Sequence, residues 1–132
     1  MMSIRLQHVS IPRPPGSEAQ TRAFYTDLLG LPEIPAPNSL QADEVIWFKL
    51  GDDAELHCFR EAPLEDASNR HLCLVVEDLP GLRQKLRKAG YQPYDVEVIP
   101  GRPRFFCHDP FGNIIEFTTI EGDYLELQQA RR

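Results

Sequence analysis

The sequence has no apolar run that could cross a membrane as a helix. None approaches about 18 consecutive apolar residues, and no apolar stretch of signal-peptide length follows the N-terminal residues up to Arg5. Basic runs are also missing before the final Arg131-Arg132, and the formal net charge is −6. Because nucleic acids and anionic membranes attract positive surfaces, we expect neither as a partner. We expect a cytoplasmic protein whose ligands are small molecules.

Cysteine is scarce, with three in the chain. Cys58, Cys73 and Cys107 are odd in number and form no CxxC pair, which argues against a disulfide framework and against a thiolate zinc site. Hydrophobic residues make up 42% of the 132 positions, which is enough apolar surface for a core without such cross-links. We therefore expect a single domain over residues 1–132.

The stretch from Arg104 to Thr119 predicts a β-hairpin. Asp109-Pro110-Phe111-Gly112-Asn113 is typical of a tight turn, because proline presets φ and glycine accepts positive φ. Strand alternation then places Glu116 on one face with Ile114 and Thr118. An uncompensated carboxylate in an apolar strand is costly. The sequence therefore predicts either a metal ion or a buried cation next to Glu116.

The same order of predicted strands and helices occurs twice in the sequence. His8 aligns with His71 about 63 residues later, and Gly30 aligns with Gly90. This repeat predicts two βαβββ modules, over about residues 4–60 and about residues 70–120. The predicted elements are a strand over 4–11, a helix with a capping box at 17–20 that ends at Gly30, a short strand, strands over 45–50 and 54–59, a strand over 71–76, a helix capped by Asp78 that ends at Gly90, a strand over 96–99 and the hairpin.

Polar side chains recur at matching places in the two modules. His8 and His71 lie on the first strands, and the last strands carry Glu116 and either Glu55 or His57. Two imidazoles, a carboxylate and one further donor suit Zn, Ni, Co, Mn or Fe(II) with open positions for substrate. Taken singly, a strand histidine is more often hydrogen-bonded than metal-bound, and Glu116 could pair with an arginine. The repetition favours the metal site.

Four segments together carry a family resemblance. They resemble the vicinal oxygen chelate superfamily, which includes glyoxalase I, bleomycin resistance proteins and extradiol dioxygenases, over about residues 4–120. The resemblance implies an α+β fold of paired βαβββ modules, which form a curved mixed sheet around a metal-binding cavity with helices on the outer face. It also implies a homodimer. The segments are His8–Ile11, Phe24–Leu31, His71–Asp78 and Phe106–Phe117.

By this resemblance His8, His71 and Glu116 occupy the metal positions of the family. The fourth position stays open between two residues. Glu55 follows Gly51 at the same separation in sequence at which Glu116 follows Gly112, and this favours Glu55. Alignment of the last strand of the first module with that of the family favours His57 instead.

Further residues are candidates for a substrate pocket. Trp47, Phe59 and Phe106 could line it, although aromatic strand residues are more often plain core. Arg102 and Arg104 could hold an anionic substrate, although arginines at strand starts are more often solvated.

The resemblance implies a divalent-metal-dependent lyase or isomerase of the glyoxalase type. A small substrate would chelate the metal through two oxygens, and Glu116 or Glu55 would move a proton. A thiol transferase or a dioxygenase on the same fold stays open. So does a non-catalytic protein that sequesters a drug, as bleomycin resistance proteins do.

Overall fold

A computed structural model describes residues 2–41, 44–62 and 68–130. The chain divides into two compact units, Met1–Ala67 (unit 1) and Ser68–Arg132 (unit 2). The boundary falls in the polar stretch between the two predicted modules. Each unit builds its own sheet.

Unit 1 contains a four-stranded mixed sheet and one helical segment. Its elements are β1 (His8–Arg13), α1 (Glu18–Arg22) continuing into the π-helical turn Ala23–Leu28, β2 (Glu33–Ile34), β3 (Val45–Leu50) and β4 (Ala54–Arg60). The strand order is β1-β4-β3-β2, and only the β1–β4 pair is parallel. Alternate residues of β3 and β4, such as Phe48 and Leu56, are buried, and the ring of Tyr25 packs on Phe48 at 5.6 Å. The helical segment therefore covers one face of this sheet.

Unit 2 repeats the pattern with three strands. Its elements are β5 (His71–Val75), α2 (Leu79–Lys88), β6 (Arg104–His108), β7 (Ile114–Thr118) and α3 (Tyr124–Ala130). The strand order is β5-β7-β6, with β5 parallel to β7 and β6 antiparallel to it. In unit 2 a single β-bridge between Tyr94 and Phe106 takes the position that the short strand β2 has in unit 1. Phe105, Ile115 and Phe117 form the buried face.

The predicted α+β class with mixed sheets is confirmed. Each unit begins with a strand that pairs in parallel with its last strand, and a helical segment follows the first strand. Among the described residues, no helix has both the length and the apolar character needed to cross a membrane.

The local signals of the hairpin and of the second helix are also confirmed. Asp109 Oδ1 accepts hydrogen bonds from the backbone N–H groups of Phe111 and Asn113, both at 2.9 Å, and Gly112 has φ of +91°. Asp78 caps α2 by accepting from Gly81 N at 3.0 Å.

The predicted capping box at residues 17–20 is wrong. Ser17 occupies the N-cap position without a side-chain cap, because its hydroxyl donates to the carbonyl oxygen of Pro14 instead.

The first strand begins later than predicted, at His8, and it includes Pro12. Proline fits there because β1 is an edge strand, where one side needs no N–H donor.

The predicted strand over 96–99 does not form. Pro100 and Gly101, the latter with φ of +76°, turn the chain back so that Arg102 N donates to Ile99 O at 3.1 Å. This segment therefore leads into a tight turn with one bridge between Ile99 and Arg102.

The helix α3 was not predicted. It begins after Asp123, whose carboxylate accepts from Leu125 N at 2.9 Å.

The Asp109 carboxylate organises the turn of unit 2, so its removal should destabilise the fold. It is 4% exposed and also accepts from Asn113 Nδ2 at 2.8 Å. We expect Asp109→Ala to lower the free energy of unfolding by about 2–4 kcal/mol in urea titrations. Asp52→Ala, in the exposed turn of unit 1, is the control and should change it by less than about 0.5 kcal/mol. Equal effects of the two variants would contradict this account.

Candidate functional site

In unit 1 the candidate ligands lie on the parallel pair β1 and β4. The register places His8 opposite Glu55 and Ser10 opposite His57. Glu55 and His57 share a face of β4 because side chains alternate. His57 Nε2 donates to Glu55 Oε1 at 2.9 Å, and the His57 ring stacks on the His8 ring at a centroid distance of 4.1 Å. All three candidates therefore belong to one cluster.

A stack of three rings fixes the orientation of His57. Trp47 lies opposite His57 on β3, and their rings stack at 3.7 Å with an interplanar angle of 8°. His57 is thus held between Trp47 and His8, and only 7% of it is exposed. Phe59 follows His57 on the same face of β4 and is half-buried.

Gln7 ties His8 to Glu55. His8 Nδ1 lies 2.6 Å from Gln7 Oε1, which assigns the Nδ1–H tautomer to His8 and leaves its Nε2 as a lone pair. Hydrogen bonds from His57 and from Gln7 lower the pKa of the Glu55 carboxyl below its ordinary value. Glu55 is therefore ionised at neutral pH and is a weak base there.

In unit 2 the matching pair is His71 and Glu116. His71 Nε2 lies 3.1 Å from Glu116 Oε1, and His71 Nδ1 lies 2.7 Å from the carbonyl oxygen of Asn69. A carbonyl only accepts, so Nδ1 carries a proton. In a neutral ring Nε2 is then a lone pair that faces a carboxylate, which is repulsive. A cation, either a second ring proton or a metal ion, removes that repulsion.

Arg104 supplies a cation to the other oxygen of Glu116. Arg104 Nη1 donates to Glu116 Oε2 at 3.3 Å, and the side chains are 17% and 12% exposed. Arg104 is fixed in turn by Nε and Nη2, which donate to Glu97 O at 3.2 Å and 2.9 Å. Phe106 lies against this group, at 4.8 Å from the His71 ring and 5.6 Å from the Arg104 guanidinium. Of the two compensations predicted for Glu116, the structure contains the arginine.

Cys73 lies opposite Glu116 in the register of β5 and β7. Desolvation and the Glu116 carboxylate together raise the pKa of the Cys73 thiol to about 11. The thiol is therefore protonated at neutral pH and is not a nucleophile.

The registers of the two units decide which residue corresponds to Glu116. Glu116 lies opposite Phe106 and two residues beyond the partner of His71. His57 lies opposite Trp47 and two residues beyond the partner of His8. His57 is therefore the counterpart of Glu116, and Glu55 is the counterpart of Ile114.

Counting from the turn glycines led to Glu55 because the two turns differ in length. Three residues, 51–53, separate β3 from β4, whereas five residues, 109–113, separate β6 from β7.

The donor types fit a borderline divalent ion, but each unit holds them as pairs. Donors 2.9 Å and 3.1 Å apart, as in His57–Glu55 and His71–Glu116, have the spacing of two neighbouring ligands about 2.1 Å from one ion. Over the described ranges 2–41, 44–62 and 68–130, no group of three or more His, Cys, Asp or Glu side chains is placed to hold a metal.

The remaining predicted residue, Arg102, lies in unit 2 with its guanidinium carbon 4.9 Å from the centroid of the Tyr124 ring. Gln7 and Tyr124 were not singled out in the sequence. Gln7 is signalled by its position next to His8 at a strand start, whereas the short helix that carries Tyr124 has no apolar periodicity to reveal it.

Two strand-helix-strand units with imidazole and carboxylate side chains on their parallel first and last strands define a protein of the vicinal oxygen chelate type. The chain belongs to the Glyoxalase/Bleomycin resistance protein/Dioxygenase superfamily, whose family model matches residues 5–117. No curated protein matches the chain.

Solved structures agree with this assignment. A glyoxalase family protein from Bacillus anthracis is 34% identical, with a TM-score of 0.81 over 91% of this chain and 98% of its own. TnmS3, an antibiotic binding protein from Streptomyces sp. CB03234, is 20% identical, with a TM-score of 0.70 over 91% and 98%. Lactoylglutathione lyase from Agrobacterium tumefaciens is 19% identical, with a TM-score of 0.63 over 86% and 91%. The antibiotic binding protein and the lyase are similar to this chain in fold.

The ion pair between Arg104 and Glu116 should contribute to stability because both groups are largely shielded from water. We expect Arg104→Gln to lower the free energy of unfolding by about 1–3 kcal/mol, since Glu116 would lose its cation. Arg22→Gln, which breaks the exposed pair with Glu33, is the matched control and should cost less than about 1 kcal/mol.

Urea titrations of both variants at pH 7 measure this difference. The double variant Arg104→Gln/Glu116→Gln should be more stable than the sum of the single changes predicts, because it removes both charges. Strict additivity would show that the two side chains are not coupled.

Proposed function

We propose that this protein is a divalent-metal-dependent enzyme of the glyoxalase type, with a small substrate that chelates the ion through two oxygens. The proposed ligands are His8, His71 and Glu116, with His57 as the fourth. The observation that supports this choice is the repeated register, which presents an imidazole from each first strand beside a donor from each last strand.

The tautomers support the same proposal. His71 Nδ1 donates to a backbone carbonyl, and His8 Nδ1 lies beside the Gln7 oxygen. In both neutral rings Nε2 then carries the lone pair that could bind a metal, which is the arrangement that metal-bound imidazoles commonly have. Such outer partners fix the ring orientation before a ligand binds.

A bound divalent ion would supply electrophilic polarisation of the two substrate oxygens. Glu116 is the proposed proton carrier. Its carboxylate is held in place by Arg104 and His71. Glu55, whose pKa is lowered by hydrogen bonds from His57 and Gln7, is the alternative proton carrier. Phe106 lies opposite Glu116 in the strand register, and its ring contacts the His71 ring at 4.8 Å.

Metal content tests the ligand set. We expect about one divalent ion per chain by elemental analysis of the purified protein, and loss of most of it in His8→Ala, His71→Ala and Glu116→Gln. His57→Ala should reduce the metal content, whereas Glu55→Gln should keep it. His108→Ala is the control, because this exposed histidine lies at the turn end of β6 and should have no effect.

Turnover tests the chemistry. Ni, Co, Zn, Mn and Fe(II) forms would be supplied with a thiol-aldehyde hemithioacetal, an epoxide plus thiol, a 2-acyl-CoA thioester and a catechol. Glu116→Gln should reduce the rate by about a hundredfold or more, because the change removes both a proposed metal ligand and the proposed proton carrier. Full metal binding in the His8, His71 and Glu116 variants would exclude the proposed site.

A second candidate is a metal-free protein that sequesters a ligand. It is favoured by the ion pair of Glu116 with Arg104, which compensates the carboxylate without a metal. The antibiotic binding protein from Streptomyces shares this fold. Tight binding of an aromatic drug by EDTA-treated protein, together with no turnover of the four substrates, would select this candidate.

We also propose a homodimer, because several large apolar side chains lie open to solvent. Ile4, Leu6, Val75 and Val98 are between 67% and 86% exposed. Light scattering at micromolar concentration should give about twice the chain mass of 15.1 kDa. If sites take ligands from both chains, mixing His8→Ala and Glu116→Ala proteins should restore up to about a quarter of the metal sites. A monomer mass would overturn this proposal.

A further inference from the structure

Arg102 is placed by a turn that leaves little freedom. Pro100 and Gly101 form the turn, with Gly101 at φ of +76°, and Arg102 N donates to Ile99 O at 3.1 Å. A Cβ atom on Gly101 would lie 2.6 Å from Leu127 Cδ1, so the turn fits closely against α3. The turn and its close contact with α3 therefore determine the position of the Arg102 backbone.

The Arg102 guanidinium has a ring partner but no acidic partner. Its carbon lies 4.9 Å from the Tyr124 centroid, which is a cation–π contact. Within the part of the chain that the structure describes, no carboxylate forms a salt bridge with it, and its buried Nε has no hydrogen-bond acceptor. By contrast, Arg104, two residues further on, is paired with Glu116.

Arg102 and Arg104 lie on the same side of the chain because alternate residues of an extended segment do so. Phe106 continues that row, and Glu116 lies opposite Phe106 on β7. Cys73 lies opposite Glu116 on β5.

Besides the imidazole of His71, this face of unit 2 carries the guanidinium groups of Arg102 and Arg104 and the carboxylate of Glu116. Arg104 uses Nη1 for Glu116 and Nε and Nη2 for Glu97 O, so its donors are largely committed. The donors of Arg102 are not committed in this way. A half-buried guanidinium favours an oxyanion partner, which can accept two hydrogen bonds from it.

We propose that Arg102 anchors a carboxylate group of the substrate, with Tyr124 holding the guanidinium in place, on the face that carries Glu116. A carboxylate presents two oxygens in one plane to the edge of a guanidinium, which is the geometry of a bidentate pair. The substrate class is therefore a small organic acid. This inference deepens the proposed function and, for its catalytic consequence, rests on it.

The binding step is tested by NMR of the purified full chain. The Nε–H signal of Arg102 is assigned by its disappearance in Arg102→Lys, and the wild-type protein is titrated with sodium acetate, inorganic phosphate or sodium chloride at matched ionic strength. We expect a saturable shift of this signal with acetate, a smaller one with phosphate and none with chloride.

Variants then test which side chains bind acetate. Arg102→Gln should weaken acetate binding by about tenfold or more, read from the backbone amide of Phe106, because a charge-assisted pair is lost. Tyr124→Leu should weaken it severalfold, because the guanidinium loses its ring partner. Arg87→Gln, an exposed arginine on α2, is the matched control and should bind acetate as the wild type does.

Three outcomes would overturn the proposal: no acetate-specific shift of the Arg102 signal, unchanged acetate binding in Arg102→Gln, or a phosphate response without an acetate response. The wild-type titration alone decides the first and third, so the proposal stays testable if Arg102→Gln does not fold. Metal analysis of Arg102→Gln separates this inference from the proposed function. Metal retained with acetate binding lost supports the anchor, whereas acetate binding by a chain that holds no metal leaves the anchor standing and removes the proposed enzyme.

Discussion

The parallel pairing of the first strand with the last strand in each unit is the constraint on which the candidate site depends. It brings His8 opposite Glu55 and sets Glu116 two residues beyond the partner of His71, across long separations in sequence. A shift of one residue in either register would turn His57 or Glu116 to the opposite face, where the helix packs. The buried residues of the same strands prevent that shift, because they would have to enter solvent.

The same frame carries different chemistry in the two units. Unit 1 surrounds its imidazoles with aromatic rings, since His57 is held between Trp47 and His8. Unit 2 surrounds Glu116 with charge, from Arg104. Stacking fixes orientation at little electrostatic cost, whereas the ion pair fixes the position of a charge that would otherwise be expensive to bury. The duplicated scaffold therefore combines a rigid imidazole with a compensated carboxylate.

The cation that compensates the Glu116 charge also distinguishes the metal-dependent enzyme from the metal-free sequestering protein. Its two oxygens face a guanidinium and an imidazole nitrogen, at 3.3 Å and 3.1 Å. A metal ion held by His71 and Glu116 would use the oxygen that faces the imidazole, whereas the Arg104 contact uses the other oxygen. A sequestering protein would need only the Arg104 contact to compensate the carboxylate. The two candidate functions therefore differ in whether a second cation lies beside Glu116.

Local signals in the sequence determined the elements whose stability is local. The Asp109–Asn113 turn, the Asp78 cap and the helix ends at Gly30 and Gly90 follow from side-chain hydrogen bonds and positive φ within a few residues. The repeat predicted matching strand positions for His8 and His71, and each lies on the first strand of its unit. The role of His8, His71 and Glu116 as metal ligands stays a prediction. Only the tertiary structure decided that Ser17 bonds Pro14 rather than capping its helix, and that residues 96–99 are no strand. It also decided that Arg104 compensates Glu116 and that His57 corresponds to Glu116. The last two depend on which distant group a side chain meets, and propensity and periodicity carry no information about that. The first two depend on which of several nearby partners is chosen, and a sequence pattern does not make that choice either.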